Sequence, residues 1–397
     1  MKITQVRTLL LSAPVPLELQ WTSDLGTVAQ QDAAIVVVDT DEGITGYGEA
    51  KGTPLLMRTL VEDVLGPGLI GQDPTRVEYL WEKMYSGLRL ELALKHGRPY
   101  HRVGNRGETL HAISGIDIAL WDVFAKSLGV PIFKLLGGGV RDRIQAYASG
   151  GWASPERTAD EVLGYRAKGF RGVKIRVGGL DEPDFPDRSL RRLRIARDAL
   201  GPGVELMMDA HGGLSVERAI ELGRAAADLK LFWFEEPVLA ADDVQGMAEV
   251  RRAVPMAIAT GESETTRFAF RDIVEHRAAD FLQPDVSVCG GLTEARRIAS
   301  YAHTHGLVLS PHNWGSALLW AATLQLIAAT PNCVRFEFPQ GYGLLLTDLL
   351  TTPVAAEPDG FVTIPTAPGI GVELQPEADL LRKYPFRRGG SYIPHRR

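Results

Sequence analysis

The sequence predicts a parallel barrel of alternating strands and helices, joined to a smaller α+β unit. Six short, continuously apolar runs recur at intervals of 23 to 27 residues, the length of one strand plus one returning helix. Continuous apolarity is typical of parallel strands that are covered on both faces. The chain has 397 residues. That is about 150 more than one such barrel needs, so a second unit is expected. An ionisable residue closes each run: Asp209, Glu235, Glu262, Asp285, His312 and Glu337.

The barrel is expected to begin after the glycine triplet at 137–139 and to contain eight strands. Two further strands, predicted at 144–148 and 172–176, precede the six and complete that number. In such a barrel the polar strand ends gather on one rim, where catalytic groups are found. The other strands are predicted at 204–208, 231–234, 257–261, 280–284, 307–311 and 333–336. Returning helices are indicated at 155–168, 189–200, 215–229, 292–305 and 315–328.

The first third of the chain has a different organisation. Apolar and polar residues alternate in several runs joined by short turns, which predicts an antiparallel meander. Helical patterns follow, so this part is expected to be an α+β unit. The strands are expected at 3–11, 33–39 and 44–48, and the helices at 54–65, 74–88 and 108–128.

These patterns divide the chain into three parts. We expect an α+β capping domain at 1–136, a barrel of the TIM type at 137–340, and a C-terminal segment at 341–397 that completes the barrel end and returns over the cap. Residues 95–107, rich in Gly, His and Arg, are either an active-site flap or a plain surface loop. Residues 387–397 are expected to be a solvated tail.

Composition excludes several classes of function. Acidic residues outnumber basic ones by 49 to 43, and no basic stripe with interleaved aromatics appears before the C-terminal tail, so nucleic-acid binding is not expected. The N-terminus lacks an export signal, and no apolar stretch approaches the roughly 20 residues of a membrane helix. A cytoplasmic protein is therefore expected. Cys289 and Cys333 are predicted at opposite ends of the barrel, which excludes a disulfide between them.

Three consecutive predicted strands end in carboxylates, at Asp209, Glu235 and Glu262. Adjacent strand tips lie close enough for three carboxylates to share one ion, and oxygen ligands without Cys or His select Mg²⁺. A single acidic residue at a strand end is more often a helix cap. Three in register favour a metal site.

Basic groups stand on the same predicted rim. Lys174 and Arg176 are two residues apart on one strand, so they project from the same face. With three carboxylates and one divalent cation, they leave about one positive charge, which favours a substrate carrying a carboxylate. Asp285 and His312 end neighbouring strands, so Asp285 can accept a proton from one ring nitrogen and leave the other as a base.

Further candidates lie beside these residues. Glu337, between Phe336 and Phe338, is expected to be desolvated and protonated, and so able to donate a hydrogen bond to an oxyanion. His211 either reaches a leaving group of the substrate or is a surface loop residue. The candidates for substrate contact are Trp21 in the 20–24 loop, the 49–52 loop, and Asn313 and Trp314. The simpler roles are packing beneath the loop for Trp21 and helix capping for Asn313 and Trp314.

Together these residues resemble the enolase superfamily, in its mandelate racemase/muconate lactonising branch. The resemblance implies a (β/α)7β barrel, a cap built from both termini, and Mg²⁺ on Asp209, Glu235 and Glu262. It also implies abstraction of the proton α to a carboxylate to give an enediolate, with His312 as base, Asp285 orienting it, Glu337 as electrophilic acid and Lys174 facing the carboxylate. The matching segments are Lys174-Ile175-Arg176, Met208-Asp209-Ala210-His211, Phe234-Glu235-Glu236-Pro237, Thr260-Gly261-Glu262, Gln283-Pro284-Asp285, Pro311-His312 and Phe336-Glu337-Phe338.

One position departs from the family pattern. Arg176 stands where the second lysine of the Lys-x-Lys motif acts as a base, and a guanidinium stays protonated at neutral pH. Since racemisation needs a base on each face, a one-base elimination is favoured. The segment from Asp209 to Gly212 resembles that of galactonate-type dehydratases, which implies that His211 is the acid for a leaving β-hydroxide.

The expected activity is Mg²⁺-dependent dehydration of an aldonate or aldarate to a 2-keto-3-deoxy sugar acid. The alternatives are cycloisomerisation of a sugar-acid lactone, racemisation or epimerisation, and a non-catalytic binding protein of the same fold. The expected partners are a small sugar-acid substrate and further copies of the chain in a homo-oligomer, with neither nucleic acid nor a membrane.

Overall fold

The computed structural model describes residues 1–23, 25–100, 104, 106–178, 184–239, 242–341 and 343–393. The N-terminal part begins with antiparallel strands, as the alternating pattern predicted. They are β1 (Ile3–Pro14), β2 (Thr22–Ser23), β3 (Gly26–Val28), β4 (Gln30–Thr40) and β5 (Thr45–Ala50). β1, β4 and β5 form one sheet in that order, while β2 and β3 form a hairpin that belongs to a second sheet.

Helices follow the first sheet. They are α1 (Pro54–Arg58), α2 (Val77–Ser86), α3 (Leu90–His96), α4 (Glu108–Ser127) and α5 (Ile132–Leu135), and α1 continues as the π-helical segment Thr59–Leu65. Of these, α1 and α4 pack on the sheet. α4 packs closely on β5 because two glycines face it. A Cβ on Gly48 would lie 2.1 Å from the carbonyl oxygen of Gly115, so a larger residue there would push helix and sheet apart. Residues 101–103 and 105, within the predicted flap or loop, lie outside the described residues.

The central part is a parallel barrel, and within the described chain it has eight strands. Each strand is parallel to the next, β13 pairs with β6, and a bridge between Leu309 and Cys333 joins the remaining two edges. The strands are β6 (Arg143–Gly150), β7 (Gly172–Arg176), β8 (Glu205–Asp209), β9 (Trp233–Glu235), β10 (Ala257–Thr260), β11 (Phe281–Leu282), β12 (Val308–Leu309) and β13 (Phe336–Pro339). Below the rim, Tyr147, Met207, Trp233 and Ala259 fill the interior.

A helix follows each of the first seven barrel strands in the described chain, so the expected (β/α)7β arrangement is confirmed. The sequence analysis missed two of these helices, α9 and α10, which have 10 residues each. The helices are α6 (Pro155–Ala167), α7 (Asp187–Leu200), α8 (Val216–Ala225), α9 (Val244–Ala253), α10 (Thr266–Glu275), α11 (Gly291–Thr304) and α12 (Ala317–Ala329).

The C-terminal segment returns to the cap, as expected. Its elements are α13 (Leu344–Thr347), β14 (Phe361–Thr363), α14 (Glu377–Lys383) and β15 (Tyr392–Ile393). β14 pairs antiparallel with β6, and β15 pairs antiparallel with β3. In the expected solvated tail at 387–397, the side chains of β15 are exposed, but their backbone adds a strand to the hairpin. Residues 394–397 lie outside the described part.

Two further expectations concern cysteines and membranes. Cys289 and Cys333 are both buried free thiols. Among the described residues, no helix combines the length and the apolarity that a bilayer crossing requires.

Candidate active site

The carboxyl ends of the barrel strands open into a cavity of about 510 Å³ beneath the cap. Trp21, Lys51 and His111 of the N-terminal part line it, together with residues that follow the barrel strands. A wider cleft of about 1000 Å³ lies between β5 and the C-terminal segment, but none of the predicted site residues lines it. The chemistry predicted from the sequence is therefore gathered at the smaller cavity.

The three predicted metal ligands follow adjacent strands. Asp209 and Glu235 end β8 and β9 and are opposite each other in the sheet register, whereas Glu262 lies two residues beyond the end of β10. Lys174 lies between the first two: its Nζ contacts Glu235 and is 3.3 Å from Asp209 Oδ2. Among the described residues, no three His, Cys, Asp or Glu side chains surround one point closely enough to hold a metal ion.

The donor chemistry of this trio nevertheless fits a hard divalent cation. Burial raises the pKa of Glu235 to about 8 although Lys174 lowers it, and the neighbouring carboxylates of Asp209, Glu337 and Glu262 raise it further. Carboxylates that repel one another in a buried site need a compensating positive charge. In this conformation the ammonium of Lys174 supplies part of that charge, at the place between Asp209 and Glu235.

Lys174 and Arg176 share one face of β7, as their spacing predicted. The guanidinium Nη1 of Arg176 is 3.0 Å from Asp209 Oδ2, the same oxygen that Lys174 approaches. Burial alone would lower the pKa of Lys174, but Glu235 and Glu337 raise it well above its usual value. Both residues are therefore permanent positive charges at the rim.

His312 and Asp285 form a hydrogen-bonded pair. His312 Nδ1 donates to Asp285 Oδ2 over 2.7 Å, and Ser287 donates to the other oxygen, Oδ1, through its backbone N at 2.8 Å and its Oγ at 2.6 Å. Because the carboxylate accepts from Nδ1, the neutral ring has no hydrogen on Nε2. Nε2 is 3.7 Å from Glu262 Oε2, at the metal-ligand cluster. The arrangement orients a base toward the cavity.

Glu337 differs from the expectation. The sequence analysis expected its flanking phenylalanines to keep it protonated, but Lys174 Nζ is 2.9 Å from its Oε1 and Ser149 Oγ donates to the same oxygen over 2.7 Å. Burial raises the pKa of Glu337, yet Lys174 and His312 outweigh it and lower the pKa to about 2. In this conformation Glu337 is therefore a charged acceptor, and the expectation of a neutral acid is wrong.

His211 lies at the edge of the same cluster. Its backbone adopts a positive φ of 50° and its N–H donates to Asp209 Oδ1 over 2.8 Å, which turns the chain sharply after β8. Its Nε2 is 3.4 Å from Glu262 Oε1, and the ring lines the cavity. The imidazole therefore faces the cavity.

The substrate-contact candidates occupy different places. Trp21 and Trp314 line the cavity with Trp152, which the sequence analysis missed, and the ring centroids of Trp21 and Trp152 are 5.5 Å apart. Asn313 does not line the cavity, because it is fully buried and its backbone N donates to Glu337 Oε2 over 2.8 Å. The cap of the following helix α12 is Ser316, so neither Asn313 nor Trp314 has the simpler capping role.

The structure adds residues from the N-terminal part. Lys51 Nζ lies 3.2 Å from Asp285 Oδ2, and the buried carboxylate of Glu49 accepts from the backbone N of Ser316 over 3.0 Å. The sequence analysis named the 49–52 loop only for substrate contact. The sequence signal for these roles was the pair of charged residues, Glu49 and Lys51, that flank the last residue of β5. Their partners, Ser316 and Asp285, lie more than 200 positions along the chain, so the sequence could not identify them.

Comparison with known proteins supports this assignment of the fold. Residues 5–137 match the family model "Mandelate racemase / muconate lactonizing enzyme, N-terminal domain", and residues 157–378 match "Enolase C-terminal domain-like". A D-galactarolactone cycloisomerase from Agrobacterium fabrum is 37% identical, with 95% of this chain and 98% of the relative covered. A D-galactonate dehydratase from Ralstonia nicotianae is 33% identical, with 85% and 87% covered.

A solved structure extends the likeness to three dimensions. A member of the enolase superfamily from Polaromonas sp. JS666 superimposes with a TM-score of 0.87 at 34% identity, and covers 99% of this chain and 100% of that one. Two family models that together span most of the chain, and relatives above 30% identity over nearly its full length, establish the family. The chain belongs to the mandelate racemase/muconate lactonizing enzyme branch of the enolase superfamily.

Proposed function

We propose that the protein dehydrates a sugar acid, an aldonate or aldarate, to a 2-keto-3-deoxy sugar acid with the help of Mg²⁺. The observation that carries the proposal is the His312–Asp285 pair, whose two side chains are 2.7 Å apart. His312 lines the cavity, and so does Arg176 at the end of β7. One side of the site thus holds a base, and the other holds a cation that cannot accept a proton. This asymmetry suits an elimination and is unsuited to a racemisation.

Asp209, Glu235 and Glu262 are the residues that would hold Mg²⁺. When bound, the ion would act as a Lewis acid that makes the α-proton of a carboxylate substrate more acidic. Lys174 and such an ion would compete for Asp209 and Glu235, since two cations repel each other. Lys174 would then be free to pair with the substrate carboxylate, as Arg176 stays on Asp209.

The residues of the chain then divide the steps of the reaction. His312 Nε2 takes the proton from C2, which leaves an enediolate, while Asp285 stabilises the imidazolium that forms. The C3–O bond then breaks, His211 protonates the leaving hydroxide, and the resulting enol tautomerises to the 2-keto acid. Glu337 could donate to the enediolate only after Lys174 has left it, because that contact keeps Glu337 charged.

A second candidate is cycloisomerisation of a sugar-acid lactone. It is favoured by the 37% identity to a D-galactarolactone cycloisomerase over 95% of this chain. The same base and the same acid would serve, because a ring C–O bond would break in place of the bond to hydroxide. No second base is needed in either reaction.

One experiment tests both candidates. The enzyme is incubated with a panel of aldonates, aldarates and their lactones, with Mg²⁺ or with EDTA, and the products are followed by mass spectrometry and NMR. Dehydration of an open acid loses one water, whereas a cycloisomerase returns an isomer of unchanged mass. The control is His312→Asn, which we expect to lack turnover and α-proton exchange. If wild-type enzyme exchanged no α-proton into D₂O with any of these acids in saturating Mg²⁺, the proposal would fail.

A further inference from the structure

Lys51 is a residue of the N-terminal part that reaches the proposed proton-transfer pair. It directly follows β5, and its Nζ lies 3.2 Å from Asp285 Oδ2 and 3.5 Å from His312 Nδ1. Its side chain is 37% exposed and lines the cavity. Both residues of the pair, Asp285 and His312, come from the barrel, so this contact joins the two parts of the molecule at the base.

The charge balance at Asp285 gives this contact its significance. The carboxylate is fully buried and accepts hydrogen bonds from Ser287, His312 and Lys51. His312 must be neutral before it can take a proton, and in that state it offers Asp285 a hydrogen bond but no charge. Lys51 is then the positive charge in contact with Oδ2, and a buried carboxylate without one is strongly destabilised. Burial would raise the pKa of Asp285, but Lys51, followed by His312, keeps it below its usual value.

The backbone around Lys51 is held in place. Its carbonyl oxygen accepts a hydrogen bond from His111 Nδ1 on α4 over 2.9 Å. Two residues earlier, Glu49 accepts from the N and Oγ of Ser316, at the start of α12. The chain at the end of β5 is therefore fixed between the cap and the barrel loop that follows His312. This anchoring sets the position from which Lys51 extends.

We propose that Lys51 is a positioning residue of the proton-transfer unit: through it the capping domain supplies the cation that keeps Asp285 charged and aligned on His312. The base is thus complete only when the cap is docked on the barrel. The inference rests on the proposed function in one respect, because it takes His312 to be the base.

The test compares Lys51→Met, Lys51→Arg and Lys51→Ala with the matched control Lys126→Met. Lys126 is also a cap lysine paired with a fully buried aspartate, Asp122, at 2.6 Å, but it lies away from the cavity residues. For a sugar acid that is turned over, we expect Lys51→Met to lower kcat for α-proton exchange by about 10- to 100-fold with KM nearly unchanged. Lys51→Arg should recover most of that loss, and Lys126→Met should retain kcat.

Two readouts separate positioning from a general loss of structure. A small primary amine added to Lys51→Ala should restore part of kcat with saturation, because it replaces the missing charge, whereas amines should not affect wild type. In a crystal structure of Lys51→Met, the Asp285 Oδ2 to His312 Nδ1 distance should exceed the 2.7 Å seen here. This second readout needs no substrate, so it tests Lys51 even if no sugar acid is turned over and the proposed function fails.

Specific outcomes would overturn the inference. Lys51→Met with wild-type kcat and an unchanged Asp285–His312 contact would exclude a positioning role. A raised KM at unchanged kcat would assign Lys51 to substrate binding. Loss of activity without recovery in Lys51→Arg or with added amine would assign it to folding.

Discussion

Asp285→Asn tests the base with a change of only one atom. Ser287 donates two hydrogen bonds to Oδ1, at 2.8 Å and 2.6 Å, and one of them comes from a fixed backbone N–H. Lys51 at Oδ2 is partly exposed and can move away, so the amide oxygen of the variant should take the Oδ1 place. The amide NH₂ then occupies the Oδ2 place, 2.7 Å from His312 Nδ1. It can only donate, so the ring must accept at Nδ1 and carry its hydrogen on Nε2. The nitrogen that faces the cavity can then no longer take a proton.

The expected loss follows from this wrong tautomer. A comparable amide substitution in a His–Asp pair lowers kcat by about 10⁴, or about 5 kcal/mol of barrier. The assay measures α-proton exchange in D₂O by NMR together with product formation, with circular dichroism and the unfolding temperature as checks on folding. The control is Ser287→Ala, which removes one of two bonds to Oδ1 and keeps the charge, and we expect it to lose about 10-fold or less. A loss of about 10-fold or less is what the removal of a supporting contact gives. If a folded Asp285→Asn protein exchanged the α-proton at a rate within about 10-fold of wild type, the assignment of His312 as the base would be refuted.

Three other predictions concern the acid, the metal and a buried carboxyl. His211→Asn should slow product formation more than α-proton exchange, and equal losses would contradict its role toward the leaving group. Mg²⁺ should raise the unfolding temperature of wild type but not that of Asp209→Asn. At a Mg²⁺ concentration of 100 times the Kd, the rise in wild type should correspond to about 3 kcal/mol of unfolding free energy. An equal rise in both proteins would place the ion elsewhere. Burial raises the pKa of Asp117 from 3.8 to about 7, although hydrogen bonds from Thr293 lower it. Between about pH 4 and pH 7 the folded protein therefore keeps a proton that the unfolded chain loses. The contribution of Asp117 to the free energy of unfolding should be complete below pH 4 and should fall by about 4 kcal/mol up to pH 7. The urea midpoint should therefore fall less between pH 5 and pH 8 in Asp117→Asn than in wild type.

Much of the barrel could be predicted because its signal is local. A parallel strand covered on both faces must be apolar along its length, and the first polar residue after it must lie at the rim. Asp209, Glu235, Asp285 and His312 were located in this way. The helices α9 and α10 were missed although each buries apolar residues at helical spacing, such as Phe270, Ile273 and Val274 of α10.

The charges at the site could not be predicted in the same way. For Glu337 the sequence showed only its two phenylalanine neighbours, which favour a neutral acid. Lys174 is far from Glu337 in the sequence but contacts it at 2.9 Å, and this contact reverses the outcome. A pKa depends on every charge within several ångströms, and covalent neighbours are a small part of them. The conformation in which Lys174 lies between two expected metal ligands is likewise a property of the folded rim.

The sequence by itself determined the fold and the rim residues, because hydrophobic period and strand-end chemistry are local properties of the chain. Its motifs, by their resemblance to known ones, indicated the family. Only the tertiary structure decided what each of those residues contacts. Lys51 and Asp285 are 234 positions apart and meet because the cap docks on the barrel at one angle. That angle results from packing over the whole interface, and no local run of residues encodes it.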